Sequence, residues 1–327
     1  MDSTTRRGFL RHAAAVTGGV AASSIPSVAA TPEQAATPAT RMRQASKTSK
    51  LRAMLTRSGI TVVPEATGVF TARLAELHGY EAVYVGGNMM AALHLGIEDW
   101  GLITTPELVE IGSRIAHEVD VPTIVDGDQL GETALNVYRS IKAYERAGIA
   151  GTHLEDTLNP KHLGPGKSEL MSVEEMVLRI QAAVEARTDP DFLILARTDC
   201  LWIGANQDAK EAIRRGQAYA KAGADAFFVV AMRKEHVDEI ASNVPIPLIG
   251  LNHPQADVAN SKMKINIHAV QLYQPAAKLY EDMLLELKQH GQFLRIPERS
   301  ISPETAAKVM RTEKYAELAE RWRKVRG

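Results

Sequence analysis

Cys200 is the only thiol in this 327-residue chain, so no disulfide can form within it. There is no excess charge either. The 38 Lys and Arg against 39 Asp and Glu leave a formal net charge of −1, which gives no footprint for nucleic acid or an anionic membrane. No apolar run approaches the roughly 18 residues that a spanning helix needs. A glycine-rich fingerprint after the first predicted strand is also missing, which argues against a dinucleotide-binding open sheet. What is present is a chain with 45% hydrophobic residues, long enough for one large domain or two small ones and for a sizeable core.

The N-terminus reads "MDSTTRRGFLRHAAAVTGGVAASSIPSVAATP". Arg6 and Arg7 precede Phe9 and Leu10, a weakly apolar Ala/Gly stretch follows, and "SVAA" supplies small residues for cleavage. Residues 1–30 therefore resemble a twin-arginine signal peptide, and the expectation is export to the periplasm by the twin-arginine translocase. Residues 31–50, rich in Ala, Thr, Pro and Ser, read as a linker.

From residue 60 onward, short apolar runs alternate with amphipathic stretches. The runs are "TVVPEA" (61–66), "AVYVGG" (82–87), "PTIVDGD" (122–128), "GTHLED" (151–156), "FLILARTD" (192–199), "DAFFVVA" (225–231), "IPLIGLN" (246–252) and "IHAVQLY" (267–273). Gly79, Gly148 and Gly223 end intervening helices, as a left-handed C-cap requires. Eight strand–helix units in a row predict an α/β fold, a (β/α)8 TIM-type barrel over 51–290, with a helical tail over 291–327. A doubly wound open sheet is the alternative.

In such a barrel the C-terminal strand ends build the active face. Here those ends carry Asp126 and Asp128, Glu155 and Asp156, Arg197 and Asp199, and Asn252. Acids converging on one rim repel one another unless a cation sits among them. An oxygen-only set suits a hard divalent ion, Mg²⁺ or Mn²⁺, held by Asp126, Asp128 and Glu155. Read singly, these residues are equally well helix caps or an Asp–Arg network. His153 reads as a barrel-core histidine and Cys200 as structural.

The stretch "VDGDQLGETALNVYRSIKAYERAGIAGTHLEDTLNPKHLGPGK", followed by "TDPDFLILARTD", resembles the isocitrate lyase/phosphoenolpyruvate mutase superfamily, most closely its methylisocitrate lyase-like branch, over about 50–280. The resemblance implies Mg²⁺ on Asp126, Asp128 and Glu155, with Asp99 beside it. It implies substrate binding by Arg197, by the Gly86–Gly87–Asn88 loop and by Asn252. Lys161 begins the gating loop, and His162 is a candidate proton donor on it. The substrate implied is a small carboxylate, and the assembly a homodimer or homotetramer exchanging a C-terminal helix, a part the 291–327 tail could take.

Three departures from the family pattern bear on the chemistry. Lyases of this type carry a catalytic cysteine on the gating loop where this chain has Leu163, which cannot transfer a proton. The family's "DTGYG" after strand 3 is "DQLGE" here. Strand 6 offers Val229 and Val230 where relatives present His or Glu. The leading expectation is a Mg²⁺-dependent carbon–carbon lyase or decarboxylase working through an enolate on a 2-oxo or 2-hydroxy di- or tricarboxylate. The alternatives are a phosphonopyruvate-type mutase or hydrolase, and an exported binding protein without turnover. General acid–base help is worth about 10² to 10⁴ in rate, so loss of the lid acid should harm lyase chemistry more than decarboxylation.

Overall fold

In a computed structural model, residues 45–163, 167–203 and 208–323 are described. The twin-arginine segment and nearly all of the 31–50 stretch lie outside them. The exception is its end: Ser46 caps a helix over Lys47–Thr56 by accepting from Ser49 N–H, so residues 47–50 are helix, not linker.

Eight parallel strands follow: β1 (Thr61–Pro64), β2 (Val83–Val85), β3 (Thr123–Asp126), β4 (Gly151–Glu155), β5 (Leu193–Thr198), β6 (Ala226–Val229), β7 (Leu248–Leu251) and β8 (Met263–His268). They are ordered β1-β8-β7-β6-β5-β4-β3-β2. Seven neighbouring pairs are laddered, and β1 meets β2 only at the Glu65–Tyr84 bridge. The result is a nearly closed TIM-type barrel.

Two apolar layers hold it. Ile124, Leu193, Leu195, Phe228, Ile249 and Ile265 fill the barrel interior, while Val125, Ile141, Leu154, Ile180, Ile194 and Phe227 pack the strands against the surrounding helices. The alternation along each strand follows from the period of two. Gly79, Gly148 and Gly223 all have positive φ, as their C-cap positions predict.

Two boundaries differ from the sequence expectation. Strand 8 is Met263–His268, ahead of the predicted 267–273. Met263, Ile265 and Ile267 alternate with polar neighbours, a pattern easily passed over beside the denser apolar run that follows and that leads into the helix Tyr273–His290. That 18-residue helix, placed inside the barrel by sequence, has no buried residue. Part of the 291–327 tail packs on its own chain: Val309 is buried, Arg73 donates to the carbonyls of Val309 and Glu118, and Arg311 donates to that of Glu118.

Candidate active site

The C-terminal strand ends gather a dense ionic cluster. Lys161 Nζ, fully buried, lies 2.5 Å from Asp128 Oδ1 and 3.2 Å from both Asp99 Oδ1 and Glu155 Oε1. Arg197 Nη1 is 2.9 Å from Glu155 Oε2. Its Nε and Nη2 donate to the two oxygens of Asp199 at 2.8 and 2.9 Å. Asp126 accepts from the backbone N–H groups of Gly87 and Asp128, each at 2.9 Å. Gly87 is needed there, because a Cβ would come within 3.0 Å of Asp126 Oδ2 and 3.1 Å of Asp128 Oδ1.

Asp126, Asp128, Glu155, Asp99, Lys161 and Arg197 thus come together as the sequence expected. Other expectations change. Gly87 N–H is committed to Asp126 instead of a substrate carboxylate. Asn252 lines the cavity, but its amide is tied to both backbone groups of Ala269, at 3.0 Å each, so it braces the β7 and β8 ends. Asp156 turns away from the rim to Arg215 and Tyr219, 2.8 and 2.7 Å away, because neighbouring residues of a strand face opposite sides. Cys200 is buried, and burial pushes its thiol up to about 12, which leaves it inert.

His162 is no free proton donor. Its Nδ1 lies 3.1 Å from Asp99 Oδ2 and its Nε2 lies 3.3 Å from Asp199 Oδ2. The ring rests against Trp202 with centroids 4.6 Å apart. Burial opposes the charged ring, but the hydrogen bonds to Asp199 and Asp99 raise it to about 9. An imidazolium between two carboxylates thus fixes His162 against the cluster. Asp128, His162 and Asn252 all hold positive φ, at 48°, 59° and 58°. That backbone is uncommon away from glycine and is sustained here by the surrounding contacts.

His153 is a barrel-core histidine, as its place inside a strand predicts. It is fully buried, Nε2 bonds Tyr84 Oη at 2.8 Å, and the ring lies 3.4 Å from Asp126 Oδ1. Burial drives it down to about 4, so the imidazole is neutral. Its nearness to the cluster follows from the strand period, since His153 and Glu155 are two apart and share a face.

The donor set fits a divalent ion. Five carboxylates (Asp99, Asp126, Asp128, Glu155, Asp199) surround three cations (Lys161, Arg197, His162), which leaves negative charge in excess. His153 Nδ1 is buried without a hydrogen-bond partner, and both oxygens of Glu155 and Asp99 Oδ1 meet Lys161 and Arg197 only as ion pairs, without aligned hydrogen bonds. Asp126, His153 and Glu155 can offer ligand atoms within 4.8 Å of one another. Burial, opposed by Lys161 but reinforced by Asp126, Glu155 and Asp99, pushes Asp128 up to about 8, as expected of a cluster short of positive charge.

A cavity of about 410 Å³ adjoins the cluster. Its polar lining is Asp99, Asp126, Arg197, His162, Gly86 and Asn88. Its apolar lining is Phe228, Val230, Leu251, Ala269 and Val270, with the Arg197 guanidinium carbon 5.7 Å from the centre of the Phe228 ring. The only cations among the described lining residues are Arg197 and His162, both ion-paired. Tyr84 and Glu65 close the floor.

Residues 51–287 match the phosphoenolpyruvate phosphomutase family model. An oxaloacetate decarboxylase of Paraburkholderia xenovorans (strain LB400) is 34% identical over 255 residues, covering 76% of this chain and 84% of that protein. The 2-methylisocitrate lyase of Escherichia coli (strain K12) is 39% identical over 202 residues, 61% of this chain and 67% of that one. Among solved structures, a phosphonopyruvate hydrolase complexed with oxalate and Mg²⁺ aligns with a TM-score of 0.76 at 28% identity, covering 85% of this chain and 99% of that one.

Proposed function

Because the chain belongs to the phosphoenolpyruvate mutase/isocitrate lyase superfamily and is by that kinship a carbon–carbon lyase, we propose that it decarboxylates a small 2-oxo dicarboxylate, oxaloacetate or a C3-alkyl analogue. The observation that carries this reading is the cavity lining, in which Arg197 and His162 are the cations among the described residues, both ion-paired, beside Phe228, Val230 and Leu251. A second substrate carboxylate therefore meets no unpaired cation there. It loses hydration, and its departure as neutral CO₂ relieves that cost. A lyase for tricarboxylates, or an enzyme for a phosphonate dianion, would need further positive charge in that cavity.

Asp126, Asp128 and Glu155 would hold Mg²⁺, the ion found in the related hydrolase. Bound there, it supplies a Lewis acid for the 2-oxo oxygen. Arg197 gives two of its five N–H donors to Asp199, which fixes the guanidinium plane and leaves others for the substrate carboxylate. His162, clamped by Asp99 and Asp199 and backed by Trp202, closes the site to water. The Arg6–Arg7 signal supports delivery of the folded enzyme to the periplasm.

Steady-state assays with oxaloacetate, 3-methyloxaloacetate and methylisocitrate, with Mg²⁺ and with chelator, test the proposal. Turnover of a 2-oxo acid is expected, falling at least 100-fold without the metal, and methylisocitrate should not be cleaved. Methylisocitrate cleavage as efficient as oxaloacetate turnover would overturn it.

A further inference from the structure

An enolate left by loss of CO₂ must be protonated at C3, and the lid supplies no acid for this. Leu163 has no proton to give, and both ring nitrogens of His162 face carboxylates. Of the remaining ionisable groups lining the cavity, Asp99 and Asp126 belong to the ionic cluster, Arg197 is ion-paired, and Tyr84 is bonded to His153 and Asp126. Glu65 is left.

Glu65 follows β1 at the point where the barrel closes. Its backbone N–H donates to His268 O at 2.8 Å, and it bridges Tyr84 of β2. Oε2 accepts from Val270 N–H at 2.6 Å, while Oε1 is buried, with no well-aligned hydrogen bond and the Gly86 N–H nearby. That oxygen lies against Gly86, where a Cβ would come within 2.5 Å of it. Glu65 also borders a second space. A groove of about 720 Å³ runs outside the barrel between the helices Val69–Leu77 and Tyr273–His290, lined by Thr67, Thr71, His78 and Tyr80 among others. Glu65 thus lines both the reaction cavity and an outer groove.

We propose that Glu65 is the proton donor of the reaction, passing a proton from the outer groove to C3 of the enolate while the lid stays closed. This rests on the enolate reading of the site. In the step, the C2–C3 π pair of the enolate takes the Glu65 proton to form the new C3–H bond, and the C2–O π bond of the ketone re-forms. The Glu65 carboxylate left behind takes a proton from water in the outer groove, so each CO₂ released consumes one proton. Burial pushes the carboxyl up to about 7, so it can carry a proton near neutral pH; the Val270 and Gly86 N–H groups oppose this and the Asp126 charge adds to it. The charged and titratable neighbours are Asp126 on β3, Tyr84 on β2, Arg197 on β5 and His268 on β8, with His78, Tyr80, Tyr273 and Tyr280 along the groove.

The test is stereochemical. 3-Methyloxaloacetate is decarboxylated in D₂O, and the 2-oxobutanoate is reduced as it forms so that its C3 configuration is preserved. The wild type should give one configuration at C3. Glu65→Gln should slow CO₂ release at least tenfold and give equal amounts of both, because the enol then escapes and is protonated in solution. A single configuration from Glu65→Gln overturns the proposal. Glu65→Asp, which withdraws the carboxyl by one methylene, must lower stereochemical purity by itself, and this decides the matter should the Gln variant not fold. If the wild type releases no CO₂ from any 2-oxo acid, the decarboxylase reading has failed instead. Exchange of the C3 protons of 2-oxobutanoate with D₂O, compared between wild type and variants, then decides the role of Glu65, with equal rates overturning it.

Discussion

At the scale of single residues, Glu65 carries a cost that its proposed role explains. An ordinary glutamate titrates near 4.5, and burial places this one at about 7. Below about 4.5 the folded and unfolded states are both protonated. Between 4.5 and 7 the unfolded chain has already released a proton that the folded chain keeps, so stability falls as pH rises, and the penalty is complete above 7. A shift of that size corresponds to about 3 kcal/mol. The melting temperature of Glu65→Gln relative to wild type should therefore climb between pH 5 and pH 8. A pH-independent difference would show that this carboxyl is not buried in protonated form. Sequence alone could not find Glu65, because a lone acid after an apolar strand looks like any strand end, and what matters is the oxygen without an aligned hydrogen bond. The Asp-x-Asp and Glu-Asp residues were legible because several acids ended adjacent strands. Asp156 was misread because adjacent strand residues face opposite ways, and a choice of face needs the register.

At the scale of elements, the loop after β3 depends on a helix distant from it in sequence. Arg179, on the helix Val173–Ala186 and 3% exposed, donates to the carbonyls of Gln129 at 3.2 Å, Gly131 at 2.7 Å, and Glu132. Glu175 braces it from the helix at 3.0 Å. This answers for Glu132, whose carboxylate stays out of the ionic cluster while its carbonyl is used in the loop. Arg179→Met would leave three carbonyls without their donor, at a cost of about 3–5 kcal/mol. Asp128, one residue before this held segment, would lose its fixed position. Calorimetry should show Mg²⁺ binding weakened at least tenfold, with Arg179→Lys intermediate. Unchanged metal affinity in Arg179→Met would mean that the loop holds itself. The eight-unit rhythm and the glycine caps were readable because helix and strand periods differ so clearly. Strand 8 slipped because its polar alternate residues, Lys264 and Asn266, diluted the signal.

At the scale of the whole molecule, the helix Tyr273–His290 leaves Tyr280, Leu284 and Leu285 69%, 51% and 57% exposed, with Leu294 beyond it at 52%. An apolar face of that length marks an interaction surface, and the family resemblance points to a second copy of this chain as its occupant. Light scattering at micromolar concentration should find a dimer or tetramer, and replacing Leu284 and Leu285 together with Glu should yield a smaller species. A wild-type monomer would remove that reading. Export can be checked independently: replacing Arg6 and Arg7 with Lys should retain the precursor in the cytoplasm, since the receptor reads guanidinium and not charge alone, and unchanged periplasmic yield would refute it. The eight strands are laddered at seven joints, while the eighth, between β1 and β2, is the lone bridge at Glu65. The barrel is therefore a rolled sheet with a seam instead of a uniform hoop. Local opening favours such weakly bonded edges, so amide hydrogen exchange should be faster along this line than at the laddered joints.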